Sequence, residues 1–255
     1  MKSRHSDISV KRRHDCLVLV QRRLPRDSEE IIFTTIMASE QVEEREENRQ
    51  SPDPESGEEN SESCDTVSPD ALIKHPLQFK WALWFYKNDK TKNWVSNLKL
   101  VTTFDTVEDF WSLYNHVQRA SKIPYGCDYS MFKDGIQPMW EDEQNQRGGR
   151  WVINLNRQQR PSELDHLWQE TLLCLIGEAF DEMSYIVCGA VVSVRAKGNK
   201  LGLWTRDAGN GDANIKIGQK LKERLHIPQK ISIGYQVHED TSKKSGSTAR
   251  DRYTL

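Results

Sequence analysis

The amino-acid sequence predicts an α+β fold, in which an antiparallel sheet carries helices on one face. Short, aromatic-rich segments of strand length recur through residues 71–255, and three longer segments have helical periodicity. Hairpin-sized turns separate several of the strand segments, which favours antiparallel pairing. A segment of this length is sufficient to form one hydrophobic core.

The first part of this segment predicts two strands followed by a helix. Leu77 to Phe85 alternates and is aromatic-rich, and Leu98 to Phe104 is a second strand. Thr106-Val-Glu-Asp109 is similar to a capping box, which marks the start of a helix. Apolar residues then recur at helical spacing, namely Val107, Phe110, Leu113, Tyr114 and Val117.

The middle part predicts two short strands around an acidic loop, and then a second helix. Tyr129 to Phe132 and Arg150 to Leu155 are the strands, and the loop between them contains glycine. Pro161 suits the first position of a helix, which we expect to run to about Phe180.

The last part predicts a hairpin, a third helix and a final strand. Cys188 to Val194 and Leu201 to Trp204 are strands joined by the turn Lys197-Gly198-Asn199-Lys200. Asp212 to Leu225 is the third helix, and Ile231 to Val237 is the last strand.

Composition separates residues 1–70 from the rest of the chain. Residues 1–36 are basic, whereas residues 38–70 contain twelve Asp or Glu against two Arg. A Glu-, Ser- and Pro-rich segment with almost no aromatic residues cannot bury enough apolar surface to fold, so we predict a disordered extension. Met37 opens the acidic part and is a candidate alternative start.

Charge and cysteine spacing exclude several classes of function. Residues 71–255 carry twenty-six basic against twenty-one acidic side chains, a surplus that suits a few phosphates rather than a long duplex. The five cysteines include no CxxC pair, which argues against zinc and for a reducing compartment. We expect no metal or cofactor, and no membrane span, because no apolar run reaches about 18 residues.

Three of the eight tryptophans stand in polar sequence, where an indole can expose a π face. Trp94 lies in the polar segment 90–97, Glu141 follows Trp140, and Trp204 precedes a polar turn. An indole face binds cations, and one carboxylate can accept both donors on the edge of guanine. These residues predict a site for a methylated guanine nucleotide, although Trp94 and Trp140 could instead be partly buried core residues.

The predicted hairpin offers cations for the phosphates of such a nucleotide. Arg195 and Lys197 are two residues apart and should share a sheet face, and Lys200 returns on the partner strand ahead of Trp204. The alternative is an ordinary charged hairpin.

Several long motifs resemble the translation initiation factor 4E family, the mRNA cap-binding proteins. The match covers about residues 71–255 and is carried by His75-Pro-Leu-Gln78, Trp81-Ala-Leu-Trp-Phe85, Phe104-Asp-Thr-Val-Glu-Asp-Phe-Trp111, Phe132-Lys-Asp-Gly-Ile-Gln-Pro-Met-Trp-Glu-Asp142, Gly148-Gly-Arg-Trp151, Leu172-Leu-Cys-Leu-Ile-Gly177, Cys188-Gly-Ala-Val-Val192 and Ser245-Gly-Ser-Thr248. The resemblance implies a curved eight-stranded antiparallel sheet with three helices packed on its convex face. It also implies a cap-binding domain over residues 71–255 that is not an enzyme.

The resemblance assigns roles within the cap site. Trp94 and Trp140 would sandwich 7-methylguanine, Glu141 would accept its two donors, and Trp204 would contact the N7 methyl group. The triphosphate would be held, directly or through water, by Arg195, Lys200 and Arg150, and Lys244 would reach the phosphates or the next nucleotide. Ser247 corresponds to the regulatory phosphorylation site of the family.

The resemblance also implies a partner surface on the convex face. There, scaffold initiation factor 4G and 4E-binding repressors would dock a helix with a Tyr-x-x-x-x-Leu-apolar motif. The corresponding positions are His75, Pro76, Val107, Trp111, Gln169, Glu170 and Leu173. We expect Trp111 to be exposed at the edge of its helix, because other residues already form the core stripe. Gln169 stands where the family usually has leucine.

Two further expectations follow from the resemblance. Gln169 and the long N-terminal extension suggest a divergent paralogue, such as the germline type 1B. We expect a monomer located in the cytoplasm, and also in the nucleus or mRNP granules.

The alternative from a different class is a cap- or nucleotide-processing hydrolase that uses Glu141-Asp142-Glu143 to hold magnesium. Consecutive carboxylates cannot all face one ion, and the chain has no Walker glycine loop, so this alternative is the weaker one.

Overall fold

Eight strands form one antiparallel sheet in the computed structural model, which describes residues 74–155, 161–243 and 250–255. The strands are β1 Pro76–Tyr86, β2 Leu98–Thr106, β3 Asp128–Lys133, β4 Gly149–Leu155, β5 Val187–Ser193, β6 Asn199–Thr205, β7 Gly234–Val237 and β8 Tyr253–Thr254. Their order across the sheet is β2-β1-β3-β5-β6-β4-β7-β8, and every neighbouring pair is antiparallel. The predicted α+β class and eight-stranded sheet are confirmed.

The helices of the described part of the chain comprise three long ones and two short ones. They are α1 Trp94–Asn97, α2 Val107–His116, α3 Pro161–Ile176, α4 Gly211–Arg224 and α5 His238–Lys243. The long helices α2, α3 and α4 cover the convex face, where Phe110, Leu172 and Ile217 join one buried cluster with Trp151 of β4. The core of the domain therefore lies between this face and the three helices.

The start of α2 agrees with its predicted capping box. The Thr106 hydroxyl accepts a hydrogen bond from the backbone N–H of Asp109 (3.2 Å) and donates one to the Asp109 carboxylate (2.6 Å). Acidic side chains in the first turn favour the positive end of the helix dipole. The apolar stripe that begins at Val107 and Phe110 packs into the core, as predicted.

Helix α3 ends earlier than predicted, at Ile176 rather than near Phe180. Glu178 adopts a left-handed backbone conformation with φ of 52°, which stops the α-helical hydrogen-bond pattern. A 3-10 helix, Asp181–Ile186, then leads into β5. The predicted helix included this change of direction because the sequence remains apolar through it.

Other differences concern short elements near chain ends and loops. Strand β7 begins at Gly234 rather than at Ile231, because Ile231 donates its N–H to Pro228 in a turn. The sequence did not predict α1, α5, β8 or the 3-10 helix Ala120–Lys122. The predicted extension over residues 1–70 lies outside the described residues.

The concave face carries a second, smaller apolar cluster. It contains Phe132, Ile136, Cys188 and Trp204, with Val191 packed against it. Because directly opposite residues of an antiparallel sheet project from one face, the register of each pair extends this assignment across the sheet. Trp204 lies opposite Arg150, and Lys200, four residues earlier on β6, projects from the same face.

Candidate functional site

Trp94 and Trp140 both have large, half-exposed aromatic side chains, one at the start of the short helix α1 and the other on a loop. Trp94 is 45% exposed and Trp140 is 42% exposed. Trp94 begins α1, whose N-cap Asn93 accepts a hydrogen bond from the backbone of Ser96 (2.7 Å). Its indole rests on the Tyr86 ring, with centroids 5.9 Å apart and planes 30° from parallel. The prediction that these two indoles are exposed is confirmed.

The Trp140 loop is held by its own polar side chains. The Asp142 carboxylate accepts the backbone N–H of Gln137 and of Gln144, each at 2.9 Å. Fully buried Asn145 donates from Nδ2 to the carbonyl oxygens of Gln137 and Met139, each at 2.8 Å. These bonds fix the backbone around Trp140, and sequence reasoning missed the role of Asn145.

Glu141 follows Trp140 directly and its side chain is exposed. Its backbone carbonyl accepts a hydrogen bond from Nε2 of Gln146 (2.8 Å), which holds the chain at this point. The side chains of Trp140 and Glu141 are therefore both exposed on this loop.

Trp204 is buried, which corrects the prediction that it exposes a π face. It is only 7% exposed and packs edge-on against Phe132, with centroids 5.4 Å apart. The centroid of the His238 ring lies 4.1 Å from that of the Trp204 ring. The polar residue that follows, Thr205, faces the opposite core, where its hydroxyl hydrogen-bonds Asn214 and Tyr235. Polar sequence next to a tryptophan therefore did not mean exposure here.

Three buried nitrogens at this point of the concave face have no hydrogen-bond partner. They are Nε1 of Trp204, Nε of Arg150 and Nε2 of His238. Burial lowers the pKa of the Arg150 guanidinium. Burial, and then the charge of Arg150, lowers the pKa of His238 to about 3. Trp204, Arg150 and His238 form what we call the floor of the concave face. It combines a cation, Arg150, with a neutral imidazole, and sequence reasoning missed His238.

Arg195 occupies a different place from the one predicted. Strand β5 ends at Ser193, so Arg195 and Lys197 lie in the hairpin loop and do not share a strand face. The Arg195 guanidinium makes a bidentate ion pair with Asp128, with Nη1 bonded to Oδ1 and Nη2 to Oδ2 at 3.0 Å. That hydrogen bonding raises the pKa of Arg195, and burial raises the pKa of Asp128 despite its partner.

The remaining predicted cations differ in how firmly they are placed. Lys200 is exposed on β6, opposite Ser193 on one side and Asn154 on the other. Lys197 is exposed in the turn, where Gly198 has φ of 138°. Lys244 and the predicted phosphorylation site Ser247 lie outside the described residues.

Three of the seven residues of the predicted partner surface are buried, and the expected exposure of Trp111 is wrong. Val107, Trp111 and Leu173 are 2%, 5% and 6% exposed. Trp111 packs edge-on against Phe110 and Tyr114 of its own helix, so it belongs to the core stripe rather than beside it.

The other four positions of that surface are more accessible. Pro76 is exposed, and His75, Gln169 and Glu170 are half-buried. His75 is tied to α2, because its backbone N–H and its Nδ1 each lie 2.8 Å from the Glu108 carboxylate.

A small apolar recess lies elsewhere, between the sheet and the helices α2 and α3. Leu83, Leu113 and Leu172 are among its lining residues. They belong to the convex-face core, so this recess is separate from Trp204 and Arg150 on the concave face.

These features define a class of protein: an α+β domain with an aromatic group and cations on its concave face, and with exposed indoles and a carboxylate near the loops. The chain belongs to the eukaryotic initiation factor 4E family, whose model matches residues 76–253.

Relatives and solved structures place the chain within this family. It is 61% identical to eukaryotic translation initiation factor 4E of Xenopus laevis over 203 residues, which are 79% of this chain and 95% of the relative. It is 59% identical to the human type 1B factor over 184 residues, 72% of this chain and 76% of the relative. These close values are consistent with the type 1B prediction without separating it from the ordinary form.

A solved structure agrees in fold as well as in sequence. It is the complex of Caenorhabditis elegans eIF4E-3 with the 4E-binding protein Mextli and a cap analog. The sequence identity is 51%, the TM-score is 0.66, and the match covers 72% of this chain and 100% of the other.

Proposed function

We propose that this protein binds the 7-methylguanosine cap of mRNA and recruits translation factors or repressors, and so regulates translation initiation. The observation that carries this proposal is the pair of half-exposed indoles, Trp94 and Trp140, with the Glu141 carboxylate beside the second. The C. elegans relative in complex with a cap analog supports it.

The base would be recognised by stacking and by one carboxylate. Methylation at N7 makes guanine cationic, and a cation against an indole face gains about 2 kcal/mol or more once water is excluded. Glu141 would accept both N1–H and the N2 amine in a bidentate pair. Trp204 would contact the N7 methyl group from the floor of the concave face.

The triphosphate would be held by the cations of the hairpin and the floor. Asp128 orients the Arg195 guanidinium by a two-point contact, so little side-chain entropy remains to be lost on binding. Lys200 projects from the same face as Trp204, and Arg150 lies directly opposite Trp204. Lys197 and Lys244 would add further positive charge.

The geometry of the acidic loop does not favour the hydrolase alternative. Both oxygens of Asp142 already accept backbone hydrogen bonds within the loop, which leaves Glu141 and Glu143 without a third carboxylate. In the described ranges no group of three His, Cys, Asp or Glu side chains is arranged to hold a metal ion. Membership of the 4E family does not support the hydrolase either.

A titration with 7-methyl-GTP and unmethylated GTP tests the proposal. We expect the methylated nucleotide to quench tryptophan fluorescence strongly and GTP to bind at least tenfold more weakly, because only the methylated base carries a positive charge. The same cap analog incubated with protein and magnesium should be recovered intact. Equal affinity for both nucleotides would contradict the proposed stacking, and consumption of the analog would favour the hydrolase.

We propose residues 71–255 as the cap-binding domain and residues 1–70 as an extension outside it. The family match, which begins at residue 76, supports that boundary. No helix in the described residues is long and apolar enough to span a membrane. We propose a cytoplasmic location, extending to the nucleus or mRNP granules, and Ser247 as a phosphorylation site near the cations of its loop.

The partners would be scaffold initiation factor 4G and 4E-binding repressors, and the relative bound to the 4E-binding protein Mextli supports this assignment. Their helix would reach Pro76, which is exposed, and the half-buried His75, Gln169 and Glu170. Three further positions are buried, namely Val107, Trp111 and Leu173. They could contribute to that contact only if the residues that cover them moved.

Gln169→Leu should strengthen binding of a labelled peptide that carries the Tyr-x-x-x-x-Leu motif by about fivefold. Gln169 is half-buried. A docked helix would remove its amide from water, which costs free energy unless a hydrogen bond replaces the water, whereas leucine adds apolar contact. Fluorescence anisotropy with the wild type and the variant measures the difference. His166→Leu, an exposed position on the same helix, is the matched control. Equal affinity of wild type and Gln169→Leu would refute this expectation.

A further inference from the structure

Tyr86 lies between the proposed base-stacking residue Trp94 and the proposed phosphate-binding residue Arg195. It is the last residue of β1, its side chain is half-buried, and its ring supports the exposed indole of Trp94. On the adjacent strand it lies directly opposite Asp128, which holds Arg195. Tyr86 therefore touches the stacking residue on one side and borders the phosphate-binding cation on the other.

The sheet register extends this contact into a polar row across the concave face. Tyr86 lies opposite Asp128, Asp128 opposite Ser193, and Ser193 opposite Lys200. Directly opposite residues in an antiparallel pair share a face and have Cβ atoms about 5 Å apart. The row is on the concave face, because Asp128 alternates in phase with Phe132, which packs on Trp204.

The Tyr86 side chain lies close enough to Arg195 for the two groups to interact electrostatically. Asp128 is the main cause of the raised pKa of Arg195, and Tyr86 acts in the same direction through its charge interaction with the guanidinium. Within the described ranges the Tyr86 hydroxyl makes no hydrogen bond to another residue. Its O–H is thus available to a ligand that Arg195 attracts.

We propose that Tyr86 is a further cap-binding residue, whose ring backs Trp94 and whose hydroxyl donates a hydrogen bond to a phosphate held by Arg195. This inference rests on the proposed cap binding. The ligand class is a phosphorylated 7-methylguanine nucleotide, because a phenol O–H complements a phosphate oxygen and the ring complements the stacked base. Tyr86 thereby couples the two parts of the ligand through one side chain.

Tyr86→Phe separates the two roles, because it keeps the ring and removes only the hydroxyl. We expect it to weaken 7-methyl-GTP binding by about 10- to 150-fold, the size of one hydrogen bond to a charged group. It should leave the binding of the nucleoside 7-methylguanosine within about twofold of wild type. Tyr86→Leu, which also removes the ring, should weaken the binding of both ligands.

Fluorescence titration of each protein with the two ligands is the measurement, and Tyr185→Phe is the matched control at an exposed tyrosine in another part of the fold. If wild type binds 7-methyl-GTP and Tyr86→Phe binds it equally well, this inference fails while cap binding stands. If wild type binds neither ligand, the proposed function fails and this inference falls with it. Thermal unfolding of Tyr86→Leu distinguishes lost support from lost folding.

Discussion

Replacing Trp140 by alanine should lower the affinity for 7-methyl-GTP by about 30- to 150-fold. The indole is half-exposed on a loop, so most of its interaction energy is available to a ligand rather than to the core. Cation–π attraction and base stacking together account for about 2–3 kcal/mol of binding free energy, which corresponds to that range of affinity. Titration by intrinsic fluorescence, with Trp94 retained as the reporter, measures the change.

The same substitution should hardly alter the stability of the domain. The loop backbone is held by Asp142 and Asn145 rather than by the Trp140 ring, so the free energy of unfolding should change by about 1 kcal/mol or less. Trp140→Phe should give an intermediate affinity, because a smaller ring retains part of the stacking. Tyr185→Ala, which removes another exposed aromatic ring, is the control and should bind as wild type does. Unchanged affinity in Trp140→Ala would remove this residue from the site.

Elements with strong local signals were predictable, and elements defined by distant contacts were not. The capping residue Thr106 and the apolar stripe behind it identified α2, because those interactions are formed within a few residues of sequence. Strand β8 has two residues, Tyr253 and Thr254, and exists only because β7 pairs with it. The end of α3 depended on the left-handed conformation of Glu178, a backbone property that composition does not reveal.

The predictions about the site residues divide in the same way. The exposure of Trp94 and Trp140 followed from the polar sequence around them, and the structure agrees. The same reasoning was wrong for Trp204, because strand alternation places it on an apolar cluster whatever its neighbours in sequence are. The predicted exposure of Trp111 was wrong for a related reason, since helix α2 packs on the core along a broader face than its apolar stripe indicated.

Residues that act on the predicted site from other elements could not be found from sequence alone. Asp128 begins β3 and meets Arg195 across 67 positions of sequence, and no local pattern links the two. His238 follows β7 and contacts Trp204 on β6, because the sheet order places both strands next to β4. The resemblance to a known family supplied the candidate ligand-binding residues, whereas the residues that support them could be identified only from the fold.

His238 should make the domain sensitive to mild acid. Its pKa is near 3 in the folded protein, against an ordinary value of 6.5, because burial and Arg150 both oppose a positive charge there. As the pH falls below 6.5 the unfolded chain binds a proton at this residue, while the folded chain binds it only near pH 3. Stability is therefore lost progressively across this window, and the loss due to His238 should be about 2 kcal/mol between pH 7 and pH 5.

His238→Leu should remove this loss, because leucine cannot take up the proton in either state. At pH 7 the variant should be about as stable as wild type, since Nε2 of His238 is buried without a partner and leucine has a similar volume. Urea denaturation at pH 7 and pH 5 gives the free energy of unfolding for both proteins. His166→Gln, at an exposed histidine, should keep the wild-type pH dependence. If His238→Leu lost as much stability as wild type between these pH values, the imidazole would not be held neutral by the fold, and the acid sensitivity would have to arise from carboxylates.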